Sequence, residues 1–225
     1  MVDADLWYQR WMAGRHRVIE RALDDLPCRP SGVVLDVASG DGTFTAQVAA
    51  RTGGRAVAQD RGAQECGMAQ NAGCRAVRGD TRRLPFGDET ADVTVAFEII
   101  EHFDGYEAAA VVDELHRVTK RGGTLLLSTP NRFALESLKG VARYLVNGTV
   151  WNARDETHVK LYSKRELVSL LRRRFDVQRV FGYYLTTGPR ERRLPGTYMV
   201  TANPLLSQVC FILLVVAKKR EAASP

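Results

Sequence analysis

Short apolar runs rich in β-branched residues alternate with amphipathic stretches over residues 33–131. A continuous or alternating apolar run predicts a buried strand, whereas apolar residues three and four positions apart predict a helix. Strands are predicted at residues 33–37, 54–60, 74–78, 91–98 and 124–128, and helices at residues 43–52, 63–71 and 104–119. Strands that alternate with helices are typical of an α/β domain with a parallel sheet, in which ligands bind at the carboxyl ends of the strands.

The pattern changes on both sides of this region. Residues 4–26 predict one or two amphipathic helices, so the first 30 residues are interpreted as an N-terminal helical lid. Ser163 is predicted to cap a later helix, with Glu166 in the capping-box position. The other predicted elements are a helix at 133–146, a long connection at 147–162, a strand at 175–184, a loop at 188–203 and a last strand at 207–217.

A glycine turn joins the first predicted strand to the first predicted helix. Gly40 and Gly42 stand between the apolar run that begins at Val33 and the helical pattern that begins at Thr43. Glycine lets the backbone take unusual angles and come close to a ligand. The helix that follows presents amides and the positive end of its dipole, which suit a carboxylate or a phosphate. The turn therefore predicts a nucleotide-type cofactor.

Acidic residues at later strand ends narrow the choice of cofactor. Asp60 follows Gly40 by 20 residues, which suits an acid that accepts hydrogen bonds from both ribose hydroxyls. A dinucleotide fold would carry a third glycine where this chain has Thr45. Asp80, at the end of the third strand, is placed to accept from the amino group of an adenine. Ribose, adenine and a carboxylate tail together describe S-adenosylmethionine, with the tail expected at the amides after Gly40.

The ordered motifs resemble those of class I S-adenosylmethionine-dependent methyltransferases. The matching segments are Val34–Gly42, Asp60, Gly79–Asp80, Leu84–Phe86, Glu98–Phe103, Leu115–Gly123 and Ser128–Asn131. The resemblance implies an α/β, Rossmann-like three-layer sandwich. It implies a mostly parallel seven-stranded sheet with helices on both faces and an antiparallel last strand. Residues 1–225 would form a single domain, in which residues 132–162 are an insert that caps the acceptor pocket.

The resemblance also implies a set of cofactor-binding residues, with S-adenosylhomocysteine as the product. They are Asp36, Ala38, Ser39, Gly40, Asp60, Arg61, Asp80, Thr81, Phe97 and Glu98. The chain departs from the family pattern at two positions, since Ala38 stands where the family usually has glycine and Arg121 where it usually has proline.

Methyl transfer from a sulfonium needs alignment and, for a hydroxyl acceptor, a base. His102 and His158 are the candidate bases, because histidine titrates near neutral pH, and Glu101 is placed to orient His102. Together with Glu98, these residues also resemble a divalent-metal site found in some related O-methyltransferases. Metal-dependent 2′-O-methylation of RNA and non-catalytic cofactor binding therefore stay open as alternatives, and no metal ligand is assigned.

Charge and composition bear on the partners. The net charge is +6, and residues 139–195 hold 13 Lys and Arg against 5 Asp and Glu. Beside an apolar predicted insert, this excess favours a small-molecule or lipid-like acceptor of anionic character. RNA is less favoured because aromatic residues are not interleaved with the basic ones, and DNA is not expected.

The cellular location is predicted from sequence features that the chain lacks. No apolar run approaches the roughly 20 residues of a spanning helix, and the first residues lack the pattern of a secretory signal. The four cysteines are scattered, without paired spacing. A cytoplasmic protein with free thiols is therefore expected.

Overall fold

The computed structural model describes residues 15–24, 26, 32–134, 157–186 and 198–220, with the backbone alone at 184–186 and 198–199. The helices are α1 (residues 15–23), α2 (Thr43–Thr52), α3 (Ala63–Asn71), α4 (Gly105–Val118) and α5 (Lys164–Leu171). The strands are β1 (Val33–Val37), β2 (Arg55–Asp60), β3 (Arg75–Arg78), β4 (Ala91–Phe97), β5 (Thr119–Pro130), β6 (Phe175–Thr186), β7 (Tyr198–Thr201) and β8 (Ile212–Lys219).

All the strands belong to one sheet in the order β3-β2-β1-β4-β5-β8-β6-β7. The first five are parallel, and β8 is antiparallel to both of its neighbours, β5 and β6. This arrangement confirms the Rossmann-like α/β fold with an antiparallel last strand. The described sheet has eight strands where the sequence predicts seven, because β7 lies within the predicted loop at 188–203 and pairs antiparallel with β6. A four-residue edge strand is too short to show a clear alternation of apolar and polar residues.

Apolar side chains cover the sheet on both faces, as in a three-layer sandwich. In the central strand β5, Leu125 and Leu127 pack with α4 and α5, whereas Leu126 packs with α1 and α2 on the opposite face. Successive side chains of a strand point to opposite faces, so a strand covered on both sides must be apolar at every position. The continuous apolar runs in the sequence follow from this geometry.

Two caps position elements near the carboxyl ends of the strands. The Asp104 side chain accepts hydrogen bonds from the amides of Tyr106 and Glu107 at the start of α4. Ser163 and Glu166 form the predicted capping box at the start of α5. Such caps stabilise a helix by about 1 kcal/mol and set where its first turn begins.

Some predicted elements fall outside the described residues. The predicted helix at 133–146 lies almost wholly there, as does the connection up to residue 156. Of the predicted N-terminal lid, residues 15–24 and 26 are described, and residues 15–23 are helical. In the part of the chain that the structure describes, no helix is long and apolar enough to cross a membrane.

Candidate active site

The turn after β1 carries three residues in the left-handed region of the backbone. Ala38, Gly40 and Gly42 have φ angles of 57°, 55° and 77°. A side chain on Gly42 would lie 2.9 Å from the backbone of Ala69 in α3, whereas one on Gly40 would meet nothing within 4 Å. Gly42 therefore permits close packing of the helices, and the backbone at Gly40 is open to a ligand. Ala38 adopts this conformation at a cost of about 1–2 kcal/mol.

The end of β2 braces this turn. Asp60 accepts hydrogen bonds from the amides of Gly40 and Gly62, at 3.1 and 2.9 Å. The buried Gln59 side chain accepts from the Ala38 amide and donates to the carbonyl oxygen of Gly79 at 2.6 Å, which ties the turn to the end of β3. Each carboxylate oxygen of Asp60 keeps lone pairs for further donors such as ribose hydroxyls.

The amides at the start of α2 are engaged within the turn itself. The Gly42 amide donates to the carbonyl oxygen of Ser39 at 3.1 Å, and the Thr43 amide donates to Oδ1 of Asp41 at 2.9 Å. These amides do not present free donors, in contrast to the prediction that they receive the tail of the cofactor. Oγ of Ser39 is buried and lacks a hydrogen-bond partner among the described residues.

Asp36, in β1, is buried beneath the turn. Its Oδ2 accepts a hydrogen bond from the Thr45 hydroxyl at 2.7 Å. Burial raises the pKa of Asp36 from 3.8 to about 7, against the lowering effects of the Thr45 bond and of the Arg15 charge. Desolvation of a carboxylate favours its neutral form.

The predicted adenine-side residues lie at the end of β3. Asp80 accepts hydrogen bonds from the backbone and the guanidinium of Arg82, which lower its pKa to about 2. Thr81, the next residue, is buried. Arg61 is exposed, and its positive charge contributes to the lowered pKa of Asp80. These residues therefore form a charged rim on this side of the crevice.

Two acids follow β4. Glu98 has a φ of 54°, and its Oε1 accepts a hydrogen bond from the Ser128 hydroxyl at 2.5 Å. Glu101 is fully buried, and its Oε2 accepts from the Thr129 hydroxyl at 2.9 Å. Burial raises the pKa of both carboxyl groups, and the charge of Glu98 raises the pKa of Glu101 further.

The two predicted histidines meet beside these acids. The ring centroids of His102 and His158 are 5.2 Å apart, and the two rings meet edge to face at 67°. Nδ1 of His102 lies 3.0 Å from the carbonyl oxygen of Thr157, and the amides of Val159 and Lys160 donate to the carbonyl oxygen of Glu101. The segment from 157 to 160 is thereby fastened along Glu101 and His102. Ligand atoms of Glu101, His102 and His158 lie within 4.8 Å of one another, so this trio can also hold a metal ion.

Arg15 is a site residue that the sequence analysis did not identify. It lies in α1, and its guanidinium carbon is 4.4 Å from the centroid of the Phe44 ring. Its charge lowers the pKa of Asp36, Glu98 and Glu101 against the larger opposing effect of burial. An arginine of an amphipathic helix looks like a solvent-facing residue in the sequence, so its place near the buried Asp36 and Glu101 and the partly exposed Glu98 has no local signal.

Residues 35–127 match a family model described as a methyltransferase domain. A demethylmenaquinone methyltransferase of Mycobacterium sp. (strain JLS) is 35% identical over 116 residues, which cover 48% of this chain and 47% of that protein. A demethylmenaquinone methyltransferase of Beutenbergia cavernae is 37% identical over 134 residues, which cover 56% of this chain and 54% of that protein. The chain thus spans about half the length of the curated relatives it matches.

A solved structure extends the likeness to nearly the whole chain. A methyltransferase of Thermotoga maritima, described as S-adenosylmethionine-dependent and as a possible histamine N-methyltransferase, has a TM-score of 0.67 at 18% identity and covers 96% of both chains. At this identity the likeness shows the fold. Residues 35–127 thus match a methyltransferase domain, and the chain as a whole shares the fold of S-adenosylmethionine-dependent methyltransferases.

The residues around the turn after β1 fit S-adenosylmethionine, the cofactor that the matched domain implies. Oγ of Ser39 is a buried polar atom that lacks a partner within the described residues, and the open space at Gly40 leaves room beside it. Phe97 forms an apolar wall, with its ring 5.9 Å from that of Phe44 and at 81° to it. Buried polar atoms in native proteins normally have partners, so an orphan at this place is suited to a ligand.

The structure brings the predicted site residues into two groups on one rim. Asp36, Ala38, Ser39, Gly40 and Asp60 surround the turn, with Asp80 and Thr81 beyond them at β3. The second group, after β4, contains Glu98, Glu101, His102 and His158. Besides Arg15, the sequence analysis gave no site role to Gln59, Ser128, Thr129 or Tyr162, whose contacts connect positions distant along the chain.

Proposed function

We propose that this methyltransferase acts on a hydroxyl of a small, quinone-like or lipid-like aromatic acceptor, with His102 as the general base. The observation that carries the proposal is the contact between Nδ1 of His102 and the carbonyl oxygen of Thr157. A carbonyl oxygen accepts hydrogen bonds, so Nδ1 is the donor and carries the proton in neutral His102. Nε2 then keeps a lone pair that can take a proton from an acceptor.

When bound, S-adenosylmethionine supplies an activated methyl group on a positively charged sulfur. His102 takes the proton of the acceptor hydroxyl as the new C–O bond forms and the C–S bond breaks, so that S-adenosylhomocysteine is released as a neutral thioether. A positioned base of this kind contributes about 10²–10⁴-fold to the rate. The carbonyl oxygen of Thr157 holds the histidine ring in place, whereas the carboxyl group of Glu101 bonds to Thr129 and does not orient His102 as predicted. Alignment accounts for much of the remaining acceleration.

Two observations support an aromatic acceptor. The relatives from Mycobacterium and Beutenbergia are described as demethylmenaquinone methyltransferases, which links this sequence type to quinone-like acceptors. The second support is a chemical argument: a phenolic proton is more acidic than the proton of an alcohol, so a neutral imidazole removes it more readily. Removal of that proton activates both the oxygen and the adjacent ring carbon of a phenol.

On the cofactor side, we assign each part of S-adenosylmethionine to residues with the matching chemistry. Asp60 accepts from the ribose hydroxyls and Asp80 from the adenine amino group. Because the amides of Gly42 and Thr43 are bonded within the turn, we assign the carboxylate of the tail to Arg15, whose guanidinium suits a planar anion. Residues that complete the assigned site are Asp36, Ala38, Ser39, Gly40, Arg61, Thr81, Phe97 and Glu98.

The test compares His102→Gln with His116→Gln, a matched change at a histidine of α4 that packs against Phe175. Binding of S-adenosylhomocysteine is measured by calorimetry, and turnover is measured with 1-naphthol and 1,4-dihydroxynaphthalene kept reduced. We expect His102→Gln to lower kcat by about 10²–10⁴-fold with unchanged binding of S-adenosylhomocysteine, and His116→Gln to retain turnover. Full turnover in His102→Gln would overturn the role of the base. Failure of the wild type to bind S-adenosylhomocysteine would overturn the function as a whole.

A metal-assisted reaction is the second candidate, and the cluster of Glu101, His102 and His158 is the observation that favours it. One carboxylate and two imidazoles suit Mn²⁺, Fe²⁺ or Zn²⁺ better than Mg²⁺. A metal would lower the pKa of a bound hydroxyl, including the 2′-hydroxyl of an RNA end. Treatment with a chelator, followed by Mn²⁺ or Zn²⁺, separates the candidates: loss and recovery of turnover support the metal, and unchanged turnover excludes it.

A further inference from the structure

Two buried oxygen atoms on the acceptor side of the crevice lack hydrogen-bond partners within the described residues. They are Oε1 of Glu101 and the hydroxyl oxygen of Tyr162. The two residues are 0% and 2% exposed, so bulk solvent does not reach them. Each unsatisfied buried polar group costs about 1–3 kcal/mol. Two such groups at one site indicate a ligand that supplies the missing bonds.

Contacts with neighbouring segments anchor both Tyr162 and Glu101. The carbonyl oxygen of Tyr162 accepts a hydrogen bond from the Arg132 amide at 2.9 Å, and Tyr162 forms a parallel bridge with Asn131 just after β5. The Lys160 ammonium lies 4.8 Å from the centroid of the Tyr162 ring. On the other side, Glu101 is fixed through Oε2 by Thr129. These contacts fix the backbone of Tyr162 and one carboxylate oxygen of Glu101.

The two side chains lie in the same region. The Lys160 amide donates to the carbonyl oxygen of Glu101 at 3.0 Å, and the Lys160 ammonium lies 4.8 Å from the centroid of the Tyr162 ring. The charge of Glu101 also raises the pKa of Tyr162, after the larger effect of burial. Within the described residues, Oε1 of Glu101 and the Tyr162 hydroxyl do not bond to each other. A hydroxyl placed between them would accept from the Tyr162 O–H and donate to Oε1 of Glu101.

We propose that Tyr162 and Glu101 bind an oxygen substituent of the acceptor other than the one that receives the methyl group. The acceptor is then an aromatic compound with at least two oxygen functions, such as a hydroquinone. This inference rests on the proposed function and names the acceptor class of the same site. A compound with a single hydroxyl leaves both buried oxygens unpaired. Sites built around such hydrogen bonds can reject an analogue that lacks the bonding group by about 10⁴-fold or more.

The experiment uses Tyr162→Phe, which removes the hydroxyl and keeps the ring, with Tyr106→Phe as the matched control at a position that is 86% exposed. The substrates are 1,4-dihydroxynaphthalene and 1-naphthol, each measured for kcat/KM and for binding to the complex with S-adenosylhomocysteine. We expect the wild type to prefer the dihydroxy compound by at least about 100-fold. Tyr162→Phe should weaken binding of that compound at least tenfold, mainly through KM, and should affect 1-naphthol by a clearly smaller factor, whereas Tyr106→Phe should leave both unchanged.

The outcomes separate this inference from the proposed function. Equal losses on both compounds, or no loss on either, would overturn the role of Tyr162 and leave methyl transfer standing. Binding of the dihydroxy compound that depends on Tyr162 but leads to no turnover would overturn the proposed function alone. Failure of the wild type to bind the dihydroxy compound would count against the inference. Melting temperature controls for folding, and we expect Tyr162→Phe to melt no lower than the wild type, because the change removes an unpaired buried hydroxyl.

Discussion

The cofactor side and the acceptor side of the crevice are built in different ways. On the cofactor side, hydrogen bonds join residues close along the chain: Thr45 and Asp36 are nine residues apart, and Gly40 and Asp60 are 20 apart. On the acceptor side, the Thr129 hydroxyl reaches back 28 residues to Glu101, and His102 contacts Thr157 across 55 residues. One side is organised by a strand, a turn and the next strand, whereas the other depends on segments that meet after folding.

Because of this difference, a substitution on one side of the crevice need not change the contacts on the other side. The turn after β1 is held by its own backbone and by Asp60, so it does not depend on the segment after β5. The acceptor side is assembled from the ends of β4 and β5 and the segment after residue 157, where a single substitution changes which oxygen atoms are paired. We therefore expect cofactor binding and acceptor selection to respond to different substitutions.

The largest effect is expected from Asp36→Asn, which neutralises the buried acid of the cofactor side. Because the pKa of Asp36 is raised from 3.8 to about 7, the folded state holds a proton between these pH values that the unfolded state has released. The free energy of unfolding therefore falls as the pH rises through this window, by as much as about 4 kcal/mol. The asparagine variant should match the wild type near pH 4 and exceed it by a few kcal/mol at pH 8.

Urea unfolding at pH 4, 6 and 8 measures this effect, with Glu101→Gln as the counterpart on the acceptor side. Burial also raises the pKa of Glu101, so its glutamine variant should gain stability at high pH in the same direction. The two variants should differ in function, since only Asp36→Asn should weaken binding of S-adenosylhomocysteine. Profiles parallel to that of the wild type at all three pH values would show that Asp36 is charged in the folded protein.

The next largest effect is expected from Asp60→Ala. The change removes the acceptor for the amides of Gly40 and Gly62 and the assigned partner of the ribose hydroxyls. Loss of charge-assisted bonds of about 1.5–3 kcal/mol predicts a weakening of S-adenosylhomocysteine binding by about 100-fold. Calorimetry measures it, with Asp60→Asn expected to show an intermediate loss. If His102→Gln weakened binding as much as Asp60→Ala does, the two sides would not be separable.

The smallest effect is expected from Ala38→Gly. Glycine relieves about 1–2 kcal/mol of left-handed strain but adds about 0.5–1 kcal/mol of backbone entropy cost. The variant should therefore be more stable than the wild type by up to about 1.5 kcal/mol. Ala50→Gly, an exposed change in α2, should instead destabilise by about 1 kcal/mol. Thermal melting compares the two variants, and destabilisation by Ala38→Gly would show that the turn is not strained at this residue.

Much of the fold could be predicted because the apolar pattern is strong where the sheet is buried on both faces. The runs around Leu35, Val95 and Leu126 each predict a strand that the structure contains. The edge strand β7 could not be predicted, because four residues paired on one side leave little pattern. The last strand begins at Ile212 rather than 207, since residues 206–208 form a 3₁₀ turn before it.

In the candidate site too, some positions could be predicted from the sequence and others could not. The acids at strand ends, such as Asp60 and Asp80, could be placed on one rim from the order of strands and helices. Arg15 and Tyr162 could not, because their positions depend on how α1 packs on α2 and on where the chain returns after residue 156. A helix pattern specifies which side of α1 is buried, but it does not specify which acids its first arginine will face.

By itself, the sequence determined the order of strands and helices, the glycine turn and the rim on which the acids lie. These follow from local rules, since side chains repeat every 2 residues in a strand and every 3.6 in a helix, and parallel strands present their carboxyl ends together. Only the tertiary structure decided that Arg15 lies near two buried acids and the partly exposed Glu98, and that Glu101 and Tyr162 each hold a buried oxygen atom without a hydrogen-bond partner among the described residues. Hydrophobic periodicity encodes which side chains are buried, whereas the partners of a buried polar atom depend on packing between segments far apart in the chain.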